Sequence, residues 1–389
     1  MHPPDDQSSP PLLYQWQEGA EDLEMYTPGG YHPTHLGDRF YEGRYEIVHK
    51  LEFGSYSTVW LAKDHQKIRF VALKIIAAFA SQESREVQVL RSLMSDEQGH
   101  PGRRCVTTFL GEFTITGPNG RHQCIVSEVV GCNAANSKDE TMPWKFPSHE
   151  YSEGNICVNL HSGNILFRLP DYNSCSIADI YSRFREPSRL PVQRLDGKPI
   201  GPEAPRYCVP PARTFQACGE IEDNAQVVIA DFGEAFCAEA PMPNHQLHTP
   251  VLLLPPESIF SESLGPAIDV WTLGCTLYHL LGERHLFEGF MPDEDHTVAE
   301  MEKKTDFFLE DGSWRTDTHR AHAPWSRSLR ERLKLMGREG EFGSDEVACF
   351  EKLLRAMLPY EPSERITAGD AVRSEWMQRW GLGAKSQAE

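Results

Sequence analysis

Between Tyr45 and Ile76 apolar and polar residues alternate through the runs YEIVHKL, STVWLAKD and RFVALKII, and this period of two predicts three β-strands. In the next stretch, SQESREVQVLRSL, Val87, Leu90 and Leu93 recur at helical spacing, so a helix started by Ser81 or Ser84 is expected. Two further strands are predicted in VTTFLGEFTI (106–115) and RHQCIVSEVV (121–130), split by the turn signal GPNG. Past Gly131 the period is lost, and Pro143 and Pro147 argue against a long helix there. Short strands return at NILFRL and QVVIADF. Between them lies 171–225, where seven prolines from Pro187 to Pro211 predict an extended insert with little packed structure. Beyond Pro266 the helical period dominates, in AIDVWTLGCTLYHLLG, SDEVACFEKLLRAML and ITAGDAVRSEWMQRW. Residues 1–28, rich in acids and with Pro3, Pro4, Pro10 and Pro11, read as a disordered arm.

A chain of 389 residues exceeds one ordinary core and suits two or three packed units. Lys plus Arg number 38 against 57 Asp plus Glu, a net charge of −19, which argues against general affinity for nucleic acid or an anionic membrane and toward a basic partner. Ten cysteines from Cys105 to Cys349 include no C-x-x-C pair, so reduced thiols in cytoplasm or nucleus are expected. The first 25 residues carry six acids and no Lys or Arg, so no export signal is predicted. No apolar run approaches the roughly 18–20 residues of a membrane span.

Several short motifs carry chemistry, and each has a bland reading beside it. LEFGSYSTVW (51–60) is a strand–glycine–strand segment that would serve any hairpin. Val71-Ala72-Leu73-Lys74 sets a lysine on a strand, where it would sit beside nucleotide phosphates or simply face water. Glu86 on the following helix is placed to hold Lys74 as an ion pair, although a surface Glu on a helix is common. Asn164 in LHSGNIL and Asp231 in IADFG offer a carboxamide and a carboxylate at strand ends, oxygen donors suited to Mg²⁺. Asp-Phe-Gly also forms an ordinary turn.

Order and spacing decide among these readings. The glycine turn, V-A-L-K, helix Glu, x-x-x-x-N, D-F-G, P-P-E at 255–257, a helix bearing Asp269-Val270-Trp271, and Arg365 in PSERIT succeed one another along the chain. From about Tyr45 to Trp380 the chain resembles the eukaryotic protein kinases. Tyr26-Thr27-Pro28-Gly29-Gly30-Tyr31-His32-Pro33, the LDGKP-x-GPEAP segment at 195–205 and D-F-G-E-A-F are similar to the serine/arginine-rich-protein-specific subfamily, particularly its fungal members. The resemblance implies an α+β, two-lobed kinase fold, with an antiparallel N-lobe at 29–131, a mainly helical C-lobe at 132–380 containing the 171–225 insert, and a tail at 381–389. It implies ATP and Mg²⁺ as cofactors and serines in Arg/Ser-rich proteins as substrate. Lys74 would hold the α/β-phosphates and Glu86 would pair with it. Leu51, Gly54, Val59, Ala72, Glu128 and Leu166 would line the nucleotide, with Asp231 on the main Mg²⁺ and Asn164 on the second. Glu257 and Arg365 would form a buried pair, and Asp269 would accept hydrogen bonds from the catalytic-loop backbone.

The pattern is broken at four places. The family's catalytic Asp, five residues before the metal-binding Asn, is Asn159, and Cys157 stands where the loop has His. Loss of a general base costs about 10²- to 10⁴-fold while positioning and metal electrostatics remain. A nucleotide-binding pseudokinase that scaffolds arginine-rich proteins is therefore the alternative. In the glycine loop Glu52 and Ser57 replace the first and third glycines, and Ser127 replaces the bulky residue before Glu128. Residues 132–158 are too short for the two helices kinases place there, which predicts wet apolar surface around Trp271 and Leu277 at about 25 cal/mol per Å². A misplaced exon boundary would write the same text as a degenerate kinase.

Overall fold

The computed structural model describes residues 12–95, 101–134, 156–157, 160–212, 226–237, 249–259, 264–282, 285–286, 340 and 342–381. The chain divides into two compact units, one drawn from 1–87, 108–131 and 169–221, the other from 88–107, 132–168 and 222–389.

The first unit is built on a six-stranded antiparallel sheet of β1 (Arg39–Phe40), β2 (Tyr45–Gly54), β3 (Ser57–Asp64), β4 (Arg69–Ile76), β5 (Phe109–Gly117) and β6 (Gly120–Ser127), in the order β1-β2-β3-β4-β6-β5. The alternating runs place Trp60, Ala62, Val71, Leu73, Ile75 and Val126 on one face, where they form a core with Tyr45, Ile47 and Phe113. The helix expected after β4 is two pieces, α1 (Ala78–Ser81) and α2 (Glu86–Ser95).

Two expectations fail in this unit. The insert is packed rather than loose over its described residues: α3 (Ile177–Phe184) buries Ile180 and Phe184 with Tyr172 against Val48, Leu61 and Phe70 of the N-terminal sheet. Its start is fixed by a capping box between Ser176 and Asp179, and Asn173 accepts the Phe70 amide proton at 3.0 Å. Its partner is thus the N-lobe sheet, where the sequence reading assigned 171–225 to the C-lobe. The supposed arm is likewise ordered from Leu12, because Tyr14, Leu23 and Tyr26 find a core with Tyr31, Ala77, Val192, Ala204 and Cys208. Tyr14 bridges Arg194 in antiparallel register, close to the short pair β10 (Leu190–Pro191) and β11 (Tyr207–Cys208). Residues 1–11 and 213–225 lie outside the described residues.

In the second unit β7 (Val130–Asn133), β9 (Ile165–Arg168) and β12 (Val227–Ile229) form one small sheet, and β8 (Ile156–Cys157) pairs with β13 (Phe236–Cys237). Among the described residues four helices follow: α4 (Pro256–Ile259), α5 (Ala267–Gly282), α6 (Ser344–Met357) and α7 (Ala368–Val372). Trp271 and Leu277 are 1% and 3% exposed, so neither side chain is left wet as predicted. They share a core with Phe350, Leu353, Leu354 and Met357 of α6. A Cβ on Gly274 would stand 3.0 Å from the Leu358 side chain, so the glycine is what permits this close approach.

Candidate active site

Antiparallel register aligns the side chains that face one another across the sheet. Glu52 opposes Val59, Val59 opposes Lys74, and Ala72 opposes Ser127. Residues directly opposite share a face, so Lys74, Ala72 and Val59 stand together, away from the Trp60–Leu73 core face. The Lys74 ammonium meets Glu86 Oε2 at 2.7 Å, and Glu86 is 4% exposed at the first position of α2. A carboxylate in the first helical turn is favoured by the backbone N–H groups there. β2 and β3 meet through a two-residue turn, Ser55-Tyr56, with Gly54 opposite Ser57. Glu52, two rows back from the Gly54–Ser57 pair, is exposed. Leu51 and Val129 pack beside the Val48–Leu61–Phe70 cluster. The Glu128 carboxylate accepts from the Thr108 amide at 2.8 Å and from its hydroxyl at 2.9 Å, while the Glu128 amide donates to the Thr108 carbonyl at 3.0 Å. Sequence reasoning missed Thr108, which no motif marks.

In the second unit β9 and β12 run antiparallel with Ile165 opposite Ile229. The next rung is a hydrogen bond from the Ala230 amide to the Asn164 carbonyl at 2.9 Å, which places Asn164 and Asp231 at neighbouring strand ends. Leu166 is buried in β9 opposite Val228. Asp231 has φ of 60°, a left-handed conformation that costs a non-glycine residue on the order of 1–2 kcal/mol and is typical of functional turns. Its carboxylate accepts from the Gly233 amide at 3.4 Å. The His161 carbonyl accepts from the Asn164 amide at 2.9 Å and its Nδ1 from the Gly163 amide at 3.1 Å, which shapes the loop ahead of Asn164. Burial lowers the His161 pKa, against the pull of Asp231. The Leu160 amide donates to Asp269 at 3.4 Å, the contact expected of that residue. Asn159 itself lies outside the described residues.

One carboxylate and one carboxamide, both hard oxygen donors, fit Mg²⁺, which takes few protein ligands and keeps phosphate oxygens and waters. Among the described residues no group of three or more His, Cys, Asp or Glu could hold a metal as an all-protein cage.

Residues 221–377 match the family model of the protein kinase domain. A serine/threonine protein kinase of Aspergillus fumigatus is 26% identical over 381 residues, covering 92% of this chain and 90% of that protein. The serine/threonine-protein kinase spk-1 of Caenorhabditis elegans is 44% identical over 119 residues, and the human SRSF protein kinase 3 is 40% identical over 123. These two alignments cover 30% and 31% of this chain but only 12% and 22% of the relatives. Residues 221–377 thus carry a protein kinase domain, and the chain is similar to serine/threonine protein kinases, among them a human SRSF protein kinase.

Proposed function

We propose that the chain binds ATP with Mg²⁺ and transfers the γ-phosphate to serines in basic Arg/Ser-rich segments, slowly, because position 159 is Asn. The Lys74–Glu86 pair at 2.7 Å carries this reading, since it holds an extended lysine beside apolar Val59 and Ala72 on one sheet face. In this reading Lys74 neutralises the α/β-phosphates and Glu86 keeps it extended. Leu51, Gly54, Val59, Ala72, Glu128 and Leu166 hold the base and sugar. Asp231 and Asn164 would hold Mg²⁺, which supplies charge neutralisation on the phosphates when bound. Asn159 cannot take up the serine proton, which passes instead to a phosphate oxygen or to water. The net charge of −19 supports a basic substrate. So does the similarity to a human SRSF protein kinase.

The scaffold reading, nucleotide held without transfer, is favoured by Asn159 and by Glu52, a carboxylate beside the proposed phosphate site. A thermal-shift titration with ATP and Mg²⁺, paired with phosphate transfer to an Arg-Ser repeat peptide, separates the two. Transfer above a Lys74→Met control supports the kinase. A shift without transfer supports the scaffold, and no shift overturns both.

A further inference from the structure

The segment preceding β1 reaches the tip of the β2–β3 hairpin. The Tyr31 hydroxyl donates to the Gly54 carbonyl at 2.7 Å, and Tyr31 is 3% exposed. Its own main chain is pinned: the Asn119 side chain donates to the Tyr31 carbonyl at 2.6 Å and to the Glu203 carbonyl at 2.7 Å. Gly29 donates to the Asn119 carbonyl at 2.7 Å, and the Gly29 and Gly30 carbonyls accept from the amides of Phe79 and Ala78. A Cβ on Gly30 would collide with the Met25 carbonyl, so the tight path needs that glycine. A second tie lies four residues back on β2. The Tyr26 ring stands edge-on to Tyr31, its hydroxyl donates to Glu21, and Glu21 pairs with Lys50, whose ammonium lies 4.8 Å from the Trp60 ring centre.

Trp60 and Val59 are successive residues of β3 and so face opposite ways. At Lys50 the strap therefore meets β2 on the face opposite Lys74. In a planar trans peptide the carbonyl and the next N–H point in opposite directions. A Gly54 carbonyl held by Tyr31 thus fixes the Ser55 N–H pointing away from the Tyr31 hydroxyl. Burial, with the Glu21 and Asp22 carboxylates nearby, pushes the Tyr31 hydroxyl up to about 12, so it remains a donor at neutral pH.

We propose that Tyr31 is a positioning residue for ATP: by holding Gly54 it presents the Ser55 amide to a phosphate oxygen, in a hairpin that lacks two of the usual glycines. The phosphate role rests on the nucleotide reading above. The anchor itself does not.

The test compares wild type with Tyr31→Phe, which keeps the ring and deletes the hydroxyl. Calorimetric titration with Mg²⁺-ATP should show affinity weakened roughly three- to tenfold, the worth of one hydrogen bond, while adenosine, which has no phosphate, binds the two proteins equally. Equal ATP affinity, or an equal loss for adenosine, overturns the phosphate role. Hydrogen exchange without nucleotide should be faster over 53–57 in the variant, and unchanged exchange overturns the anchor. A wild type that binds neither ligand refutes the nucleotide reading and the phosphate role with it, and the exchange result still decides the anchor.

Discussion

Arg365 grips Glu257 with both arms of its guanidinium, NH1 to Oε1 and NH2 to Oε2, each at 2.6 Å, in a site where the two side chains are 0% and 1% exposed. Its remaining donors reach the carbonyls of Pro359, Ala267 and Tyr360, and its plane lies 5.0 Å from the centre of the Trp271 ring. A buried pair is stabilising only when its spare donors are satisfied this fully.

Removing one member leaves a buried, unpaired charge. Arg365→Ala is expected to lower the unfolding free energy by about 3–5 kcal/mol, measured by denaturant titration. Arg365→Lys should recover little of it, because an ammonium cannot reproduce the two-pronged contact.

Glu86 holds Lys74 by a charge-assisted hydrogen bond at 2.7 Å. Glu86→Gln keeps the size and loses the charge, so the ammonium is less firmly extended. Affinity for Mg²⁺-ATP should fall by roughly ten- to a hundredfold, corresponding to about 1.5–3 kcal/mol for a bond to a charged group, read by titration calorimetry.

Position 159 offers a gain-of-function test. Asn159→Asp restores a carboxylate able to accept the serine proton and should raise transfer to an Arg-Ser peptide by about 10²-fold or more, with ATP affinity unchanged. Transfer measured over a Lys74→Met background checks this. No gain would show that something other than the base limits the rate.

The strands of the first unit were legible because one face of the sheet is apolar and the other mixed, so Trp60, Leu73 and Val126 alternate with Val59, Ala72 and Ser127. Asn164 and Asp231 were expected at adjacent strand ends, and the Ile165–Ile229 register sets them there. The strap was not legible. Tyr14, Leu23, Tyr26 and Tyr31 follow no helical or strand period, and their core partners Val192, Ala204 and Cys208 lie more than 150 residues away along the chain. The insert misled for a similar reason: its prolines predict extended chain, which is what β10 and β11 are, but not which sheet that chain covers. Composition records how much apolar surface a segment has, not where its partner lies.

Glu21 and Lys50 make that hidden contact testable. Both side chains are buried to 1% exposure or less, so Glu21→Ala strands an ammonium in the core and should cost about 3–5 kcal/mol in chemical denaturation. The double variant Glu21→Leu, Lys50→Met should recover most of the loss, because apolar side chains of similar volume carry no desolvation penalty. If residues 12–28 were a loose arm, the single change would be silent.

His32 gives the unit a pH dependence whose sign follows from its surroundings. Burial, reinforced by His122 edge-on at 5.2 Å and only partly countered by Asp38, pushes its pKa down to about 4 from the 6.5 of a free imidazole. Between these values the unfolded chain binds a proton that the folded chain refuses, so stability is full above pH 6.5 and falls as the pH drops toward 4. The loss from this one group amounts to about 3 kcal/mol at the lower limit. His122, also lowered by burial, adds to it with the same sign. Denaturation midpoints of wild type and His32→Gln, measured from pH 7 to 4.5, should diverge least at the acid end, because the variant loses less stability on acidification. Parallel curves would mean that His32 accepts its proton as readily in the fold as outside it.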